Sequence, residues 1–83
     1  MFNLDRYISL PVKITSVSLQ ELCGIYIDSY YTGILDDIDD EHQTIYLIKT
    51  YRICGNKVEW LENLSLPIQD IIDITDGDAV LKL

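Results

Sequence analysis

Four groups of side chains in this sequence could do chemistry: an acidic run, one histidine, a set of aromatic residues and a small basic pair. Asp36, Asp37, Asp39, Asp40 and Glu41 crowd one short stretch. Carboxylates at that density can hold a divalent cation or attract a basic protein surface. The order is not the Asp-x-Asp-x-Asp-Gly of a calcium loop, and Asp73-Ile74-Thr75-Asp76-Gly77-Asp78 is not one either. A solvated turn facing basic protein is therefore expected, with no metal site. His42, the single histidine, follows Glu41. An imidazole beside a carboxylate can move protons. Here no nucleophile lies near it in sequence, and no Gly-x-Ser-x-Gly, His-Glu-x-x-His or glycine-rich phosphate loop occurs. His42 reads as a surface histidine, and the chain as a non-enzyme without cofactor.

The aromatic residues say more. Tyr26, Tyr30, Tyr31, Tyr46 and Tyr51 fall on three segments that read as strands, and Trp60 on the next. A tyrosine buries a large ring while its hydroxyl keeps a polar partner, which suits binding surfaces. Tyr30, Tyr31, Tyr46, Tyr51 and Trp60 are thus the candidates for protein contact, with Asp36 to Glu41 steering a basic partner. The alternative is a small anionic ligand such as a nucleotide, held at subunit boundaries. Lys49 and Arg52 would meet its phosphate while Tyr51 stacks on the base.

Size and charge narrow the classes further. At 83 residues the chain is one small domain whose core is marginal alone. Its 48% apolar content points to a homo-oligomer that hides part of the surplus. Fourteen acids against six bases give a net charge of −8, which opposes nucleic-acid binding. No apolar run is long enough to span a bilayer, and the first residues lack the pattern of a signal peptide. A cytoplasmic setting is expected, without membrane. Cys23 and Cys54, 31 positions apart, are read as reduced thiols in that setting, with a single disulfide between them as the alternative, and with one histidine they make no zinc pattern.

The elements that must position these residues are mostly strands. Residues 2–8 have helical spacing, opened by Asn3 as a cap and ended before Pro11. Leu10, Val12 and Ile14 then alternate with polar residues as a half-buried strand. Val17 and Leu19 carry the alternation on out of phase, which implies a bulge or turn at Thr15-Ser16 and a turn at Gln20-Glu21. Residues 22–31 are rich in strand formers, and Gly33 marks a bend. The acidic run reads as the next turn. Residues 43–53 form a strand with Ile45, Leu47 and Lys49 on one face, Tyr46 and Ile48 on the other. Cys54-Gly55-Asn56-Lys57 is a hairpin turn by composition. Residues 58–66 return as a strand, 67–70 as a short turn with a 3₁₀ step, and 71–74 as a last strand. The expected fold is mainly β: a small, strongly bent, five-stranded antiparallel barrel over residues 10–74. A helical turn over 1–9 precedes it, and 75–83 form a tail or an extra edge strand.

That order of elements resembles the Sm-like (LSm/Hfq) group within the SH3-like small barrels. The stretch Tyr31-Thr32-Gly33-Ile34-Leu35-Asp36-Asp37-Ile38-Asp39, followed by Ile45-Tyr46-Leu47, is similar to the group's first motif. Leu66-Pro67-Ile68-Gln69-Asp70-Ile71-Ile72-Asp73-Ile74 is similar to its closing turn and strand. The RNA-binding residues are missing. His42-Gln43-Thr44 stands where the group has a methionine-asparagine pair, and no arginine-glycine pair occurs near Leu66-Pro67. The resemblance therefore implies the architecture without uridine binding. The expectation is a protein-binding module, in the setting of a phage-encoded viral protein that inhibits a host nucleic-acid-binding or defence protein.

Overall fold

The computed structural model describes residues 3–77. A 3₁₀ helix, η1 (Leu4–Tyr7), opens the fold and buries Leu4. Asn3 precedes it, but its side chain makes no capping hydrogen bond, so the expected cap is absent. Phe2 and the tail 79–83 lie outside the described residues. Strand β1 (Pro11–Ser16) follows, with Val12, Ile14 and Ser16 fully buried in alternation. Leu10, expected on the same face, lies before the strand and is half exposed.

The next segment corrects the strand expectation. Residues 17–23 form helix α1 (Val17–Cys23). Ser16 is its N-cap: the side-chain oxygen accepts from Leu19 N–H at 3.1 Å, satisfying one of the amides a helix start leaves open. Leu19 is the buried residue of this helix. Gly24, with φ 103°, ends it, and its N–H donates to the Gln20 carbonyl at 2.8 Å. The bulge expected at Thr15-Ser16 is present, as a shift in the pairing of β1 with the last strand. Ile25, Tyr26 and Ile27, expected in a strand, stand exposed on the loop after α1.

Three eleven-residue strands then make a meander: β2 (Ser29–Asp39), β3 (Thr44–Cys54) and β4 (Lys57–Pro67). A short 3₁₀ helix, η2 (Ile68–Asp70), leads into β5 (Ile71–Asp76). All pairings are antiparallel, in the order β4-β3-β2-β1-β5, so β4 and β5 are the edges of one bent sheet. Gly55-Asn56 is the two-residue turn of the β3–β4 hairpin, Gly55 taking φ 61°. The acidic run is not wholly a turn. Asp36 to Asp39 continue β2, and the turn itself is residues 40–43.

The bend has a visible cause. Gly33 in β2, Lys49 in β3 (φ 51°) and Glu62 in β4 (φ 68°) stand where the register of the meander shifts. A Cβ on Gly33 would lie 2.7 Å from Thr50 Oγ1 and 2.9 Å from the Ile48 carbonyl oxygen, so only glycine lets β2 approach β3 there. Lys49 is consequently turned out to solvent, and Thr50 takes the inward position expected for it. Inside the bend, Val12, Ile14, Leu19, Leu35, Ile45 and Leu47 are essentially inaccessible. Each contributes about 1.5–3 kcal/mol by leaving water.

The free-thiol expectation is also corrected. Cys23 at the end of α1 and Cys54 at the end of β3 form a disulfide, with Cα atoms 5.7 Å apart. The helix carries the chain back over the sheet and sets Cys23 above Cys54, a meeting that requires α1.

Candidate interaction surface

Register decides which aromatic residues share a face. Tyr30, Ile53 and Val58 lie opposite one another across β2, β3 and β4, and so do Thr32, Tyr51 and Trp60. Residues two apart on a strand point the same way, so these two rows share one face, open at Tyr51, Trp60 and Val58 and covered over at Thr32, which is buried. Tyr51 and Trp60 are directly paired, with ring centroids 4.8 Å apart and planes at 61°, an edge-to-face contact. Both rings remain accessible, Trp60 at 51% and Val58 beside it at 65%. Tyr30 is half-buried under the Lys13 ammonium, 4.4 Å from its ring centroid.

Past the kink the face continues as a shallow depression lined by Ile34, Ile48, Lys49, Tyr51, Trp60 and Glu62. Ile48 and Asn63 are shared with a second depression that reaches Tyr46, Asp36 and Asp37. The two depressions adjoin at Ile48 and Asn63, so a groove of mixed apolar and polar lining runs from Trp60 to Tyr46 and ends at two carboxylates.

Not every candidate joins it. Tyr31 is 7% exposed and belongs to the core, so it is corrected from the contact set. Alternation puts Tyr30 outward and Tyr31 inward. Tyr31 shares the opposite face with Arg52 and Glu59. The Arg52 guanidinium is bonded to the Glu59 carboxylate, which raises its pKa, with Tyr31 adding a smaller contribution. Lys49, Tyr51 and Arg52 therefore do not converge. Lys49 and Tyr51 line the groove with Glu62, while Arg52 is turned away and neutralised.

The acidic run is divided as well. Asp36 and Asp37 border the groove, whereas Asp39, Asp40 and Glu41 lie at the β2–β3 turn. There Asp39 accepts from the His42 backbone N–H at 3.1 Å and contacts His42 Nδ1 at 2.7 Å. The His42 side-chain bond, with the backbone bond second, holds the Asp39 carboxyl below its ordinary pKa. His42 is exposed, and among the described residues no three His, Cys, Asp or Glu side chains gather as a metal site.

Ile48, Ile53 and Val58 complete the face and are not among the contact candidates that the sequence offers. The hairpin supplies the missing signal. Counting outward from the Gly55-Asn56 turn pairs Ile53 with Val58, Arg52 with Glu59 and Tyr51 with Trp60.

No protein-family model and no curated protein sequence matches this chain. Solved structures do. A chain of the NatC complex bound to CoA superposes with a TM-score of 0.68 at 16% identity, covering 99% of this chain and 94% of that one. A heptameric archaeal Sm protein gives 0.66 at 16% identity, covering 88% and 93%. The SmAP1 heptamer of P. aerophilum gives 0.66 at 16% identity, covering 88% and 85%. The architecture is the Sm-like fold that the stretches around Gly33 and Leu66 to Ile74 resemble.

Proposed function

We propose that this Sm-like barrel is a non-enzymatic protein-binding module that assembles with copies of itself. The observation that carries the reading is the Tyr51–Trp60 pair, accessible on an outward face beside the open edge of β4. Aromatic pairs bring much apolar area to an interface at little entropic cost. An open edge offers unpaired backbone N–H and C=O groups to another strand. Pairing β4 of one copy with β5 of the next is head-to-tail, and such contacts close into rings when the rotation permits. That Sm proteins of this fold are heptamers, and that another such chain lies within a complex, supports assembly as its mode of action.

Asp36 and Asp37 at the end of the groove, with Asp39, Asp40 and Glu41 on the turn, select a partner with a basic surface. In this reading the chain covers a basic, nucleic-acid-facing surface on another protein, as a phage-encoded inhibitor of a host enzyme would. An anionic ligand is the poorer reading, because Arg52 is engaged by Glu59 and Lys49 shares its depression with Glu62.

Sedimentation of the purified chain tests assembly: a defined multi-copy species is expected, and a monomer at all concentrations overturns self-association. For the partner, the wild type and two variants, Trp60→Ala and Asp36→Lys/Asp37→Lys, are used as bait. A basic protein held by the wild type and lost by both variants is expected. Retention by both variants removes the groove from the function.

A further inference from the structure

The disulfide sits beside the most exposed apolar segment of the described fold. Between α1 and β2, Ile25 is 68% exposed, Tyr26 95% and Ile27 48%, with Leu22 at 65% on the last turn of α1. This segment rests on the tip of the β3–β4 hairpin. The Gly55 N–H donates to the Asp28 carbonyl at 2.7 Å, and the Ile27 side chain lies against Gly55. Ile27 N–H closes on the Gly24 carbonyl at 3.2 Å within the loop itself. Leu19 holds the middle of α1 in the core, and beyond it Cys23 ties the helix end to the sheet through Cys54. Both cysteines are partly exposed, and Cys23 also packs against the core.

We propose that the Cys23–Cys54 bridge is a thiol-operated clasp on the binding surface. Oxidised, it holds Ile25, Tyr26 and Ile27 beside the hairpin that carries Val58 and Trp60, extending the apolar face. Reduced, it frees the loop, and the face shrinks to the sheet. This rests on the reading of the outward face as an interface. The reductant is a small thiol or dithiol. Its thiolate attacks one sulfur of the bridge and expels the other cysteine as thiolate. A second thiol then attacks the resulting mixed disulfide, so two electrons yield two cysteine thiols and the disulfide of the reductant. Strand pairing starts at Ser29, just after the loop, with Cys54 paired to Ser29 and Lys57, and Cys23 packs against the core, so opening that leaves those contacts in place is confined to residues 24–28.

Hydrogen exchange of the oxidised chain and of the chain held in dithiothreitol is the test. On reduction, residues 24–28 and the Gly55 amide should exchange at close to the rate of an unstructured chain. The paired amides of β1, β2 and β3 should remain protected. Unchanged exchange in the loop overturns the clasp, and so does loss of protection in loop and sheet together, which would make the bridge a global staple. The second arm keeps the bridge intact. The oxidised Ile25→Ser/Ile27→Ser variant should self-associate at least about tenfold more weakly than the wild type, the loss a few anchor residues cause at an interface. Equal association removes the loop from the surface and overturns the proposal. A wild type that never associates overturns the self-association reading instead, whatever the exchange shows.

Discussion

The Asp70 carboxylate grips the first turn of α1 from 52 positions away. One oxygen accepts from the Ser18 N–H at 3.2 Å and the other from the Ser18 hydroxyl at 2.6 Å. A carboxylate at a helix start satisfies an open amide and meets the positive end of the helix dipole. The contact ties the only α-helix of the described residues to η2, the turn before the edge strand β5. Asp70→Ala should lower stability by about 1 kcal/mol, and Ser16→Ala, which removes the buried cap, by about 1–2 kcal/mol. Thermal melting checks both, at roughly 4–8 °C per kcal/mol for a domain of this size. Wild-type melting in Ser16→Ala would mean that the cap does not hold the helix.

Gly33 is the least replaceable position in the meander. Its missing Cβ would overlap Thr50 Oγ1 at 2.7 Å and the Ile48 carbonyl at 2.9 Å, and the second contact is backbone that no rotamer change relieves. Gly33→Ala should therefore cost about 2 kcal/mol or more, as overpacking does in a close-packed interior. The midpoint of urea unfolding measures it. A shift of a few tenths would show that β2 and β3 separate freely at the kink.

Much of this fold is legible in residue order, and the failures have physical causes. Alternation at Val12 and Ile14, the glycine at the bend and the Gly-Asn turn each specify a local conformation by themselves. Helix α1 does not, because seven residues with one buried side chain leave no period to detect. Its cap residue also closes a strand pattern, so the helix looks like more strand. The disulfide was hidden with it. Lys49 and Glu62 adopt positive φ without being glycine, and the resulting change of parity moves Thr50 rather than Lys49 inward. Tyr30 and Tyr31 illustrate the same limit at the surface. Alternation says that one ring of an adjacent pair is buried, and the register, which sets the buried Tyr31 opposite Arg52 and the outward Tyr30 opposite Ile53, runs against the simple polarity guess of which it is.

The β2–β3 turn should weaken in acid. A carboxyl whose folded pKa lies below its unfolded value, about 3.9 for aspartate, adds stability above that value. The contribution is lost as pH falls through the folded pKa. Asp39 is such a group, held down chiefly by the His42 side chain. Carbon-detected titration of Asp39 should give a midpoint below the ordinary range, and His42→Ala should raise it. An unchanged midpoint in His42→Ala would place the cause elsewhere. Because Asp39 is partly exposed at a turn, the effect should register in the order of the turn rather than in global melting.

Trp60 separates interface from fold. The Tyr51–Trp60 contact contributes about 0.5–1.5 kcal/mol to stability, so Trp60→Ala should still fold, with its melting temperature lowered by roughly 2–12 °C. Its loss from a buried interface should cost about 2 kcal/mol or more of association.

Salt then distinguishes the two kinds of partner. Glu62 lies on the β4 edge and Asp73 on the β5 edge, in a chain of net charge −8, so copies meeting edge to edge bring like charges together. Screening relieves that repulsion as the Debye length shortens from about 10 Å at 0.1 M to about 3 Å at 1 M. Self-association should therefore strengthen with added salt. Binding of a basic partner at Asp36 and Asp37 draws on attraction and should weaken over the same range, mainly through a slower on-rate. The two processes thus respond with opposite sign to one variable, and neither sign depends on the size of the apolar contribution. Sedimentation of the chain alone and surface-plasmon kinetics with the partner, both taken along one salt series, measure them. A self-association that falls with salt would mean that the edges are not where copies meet.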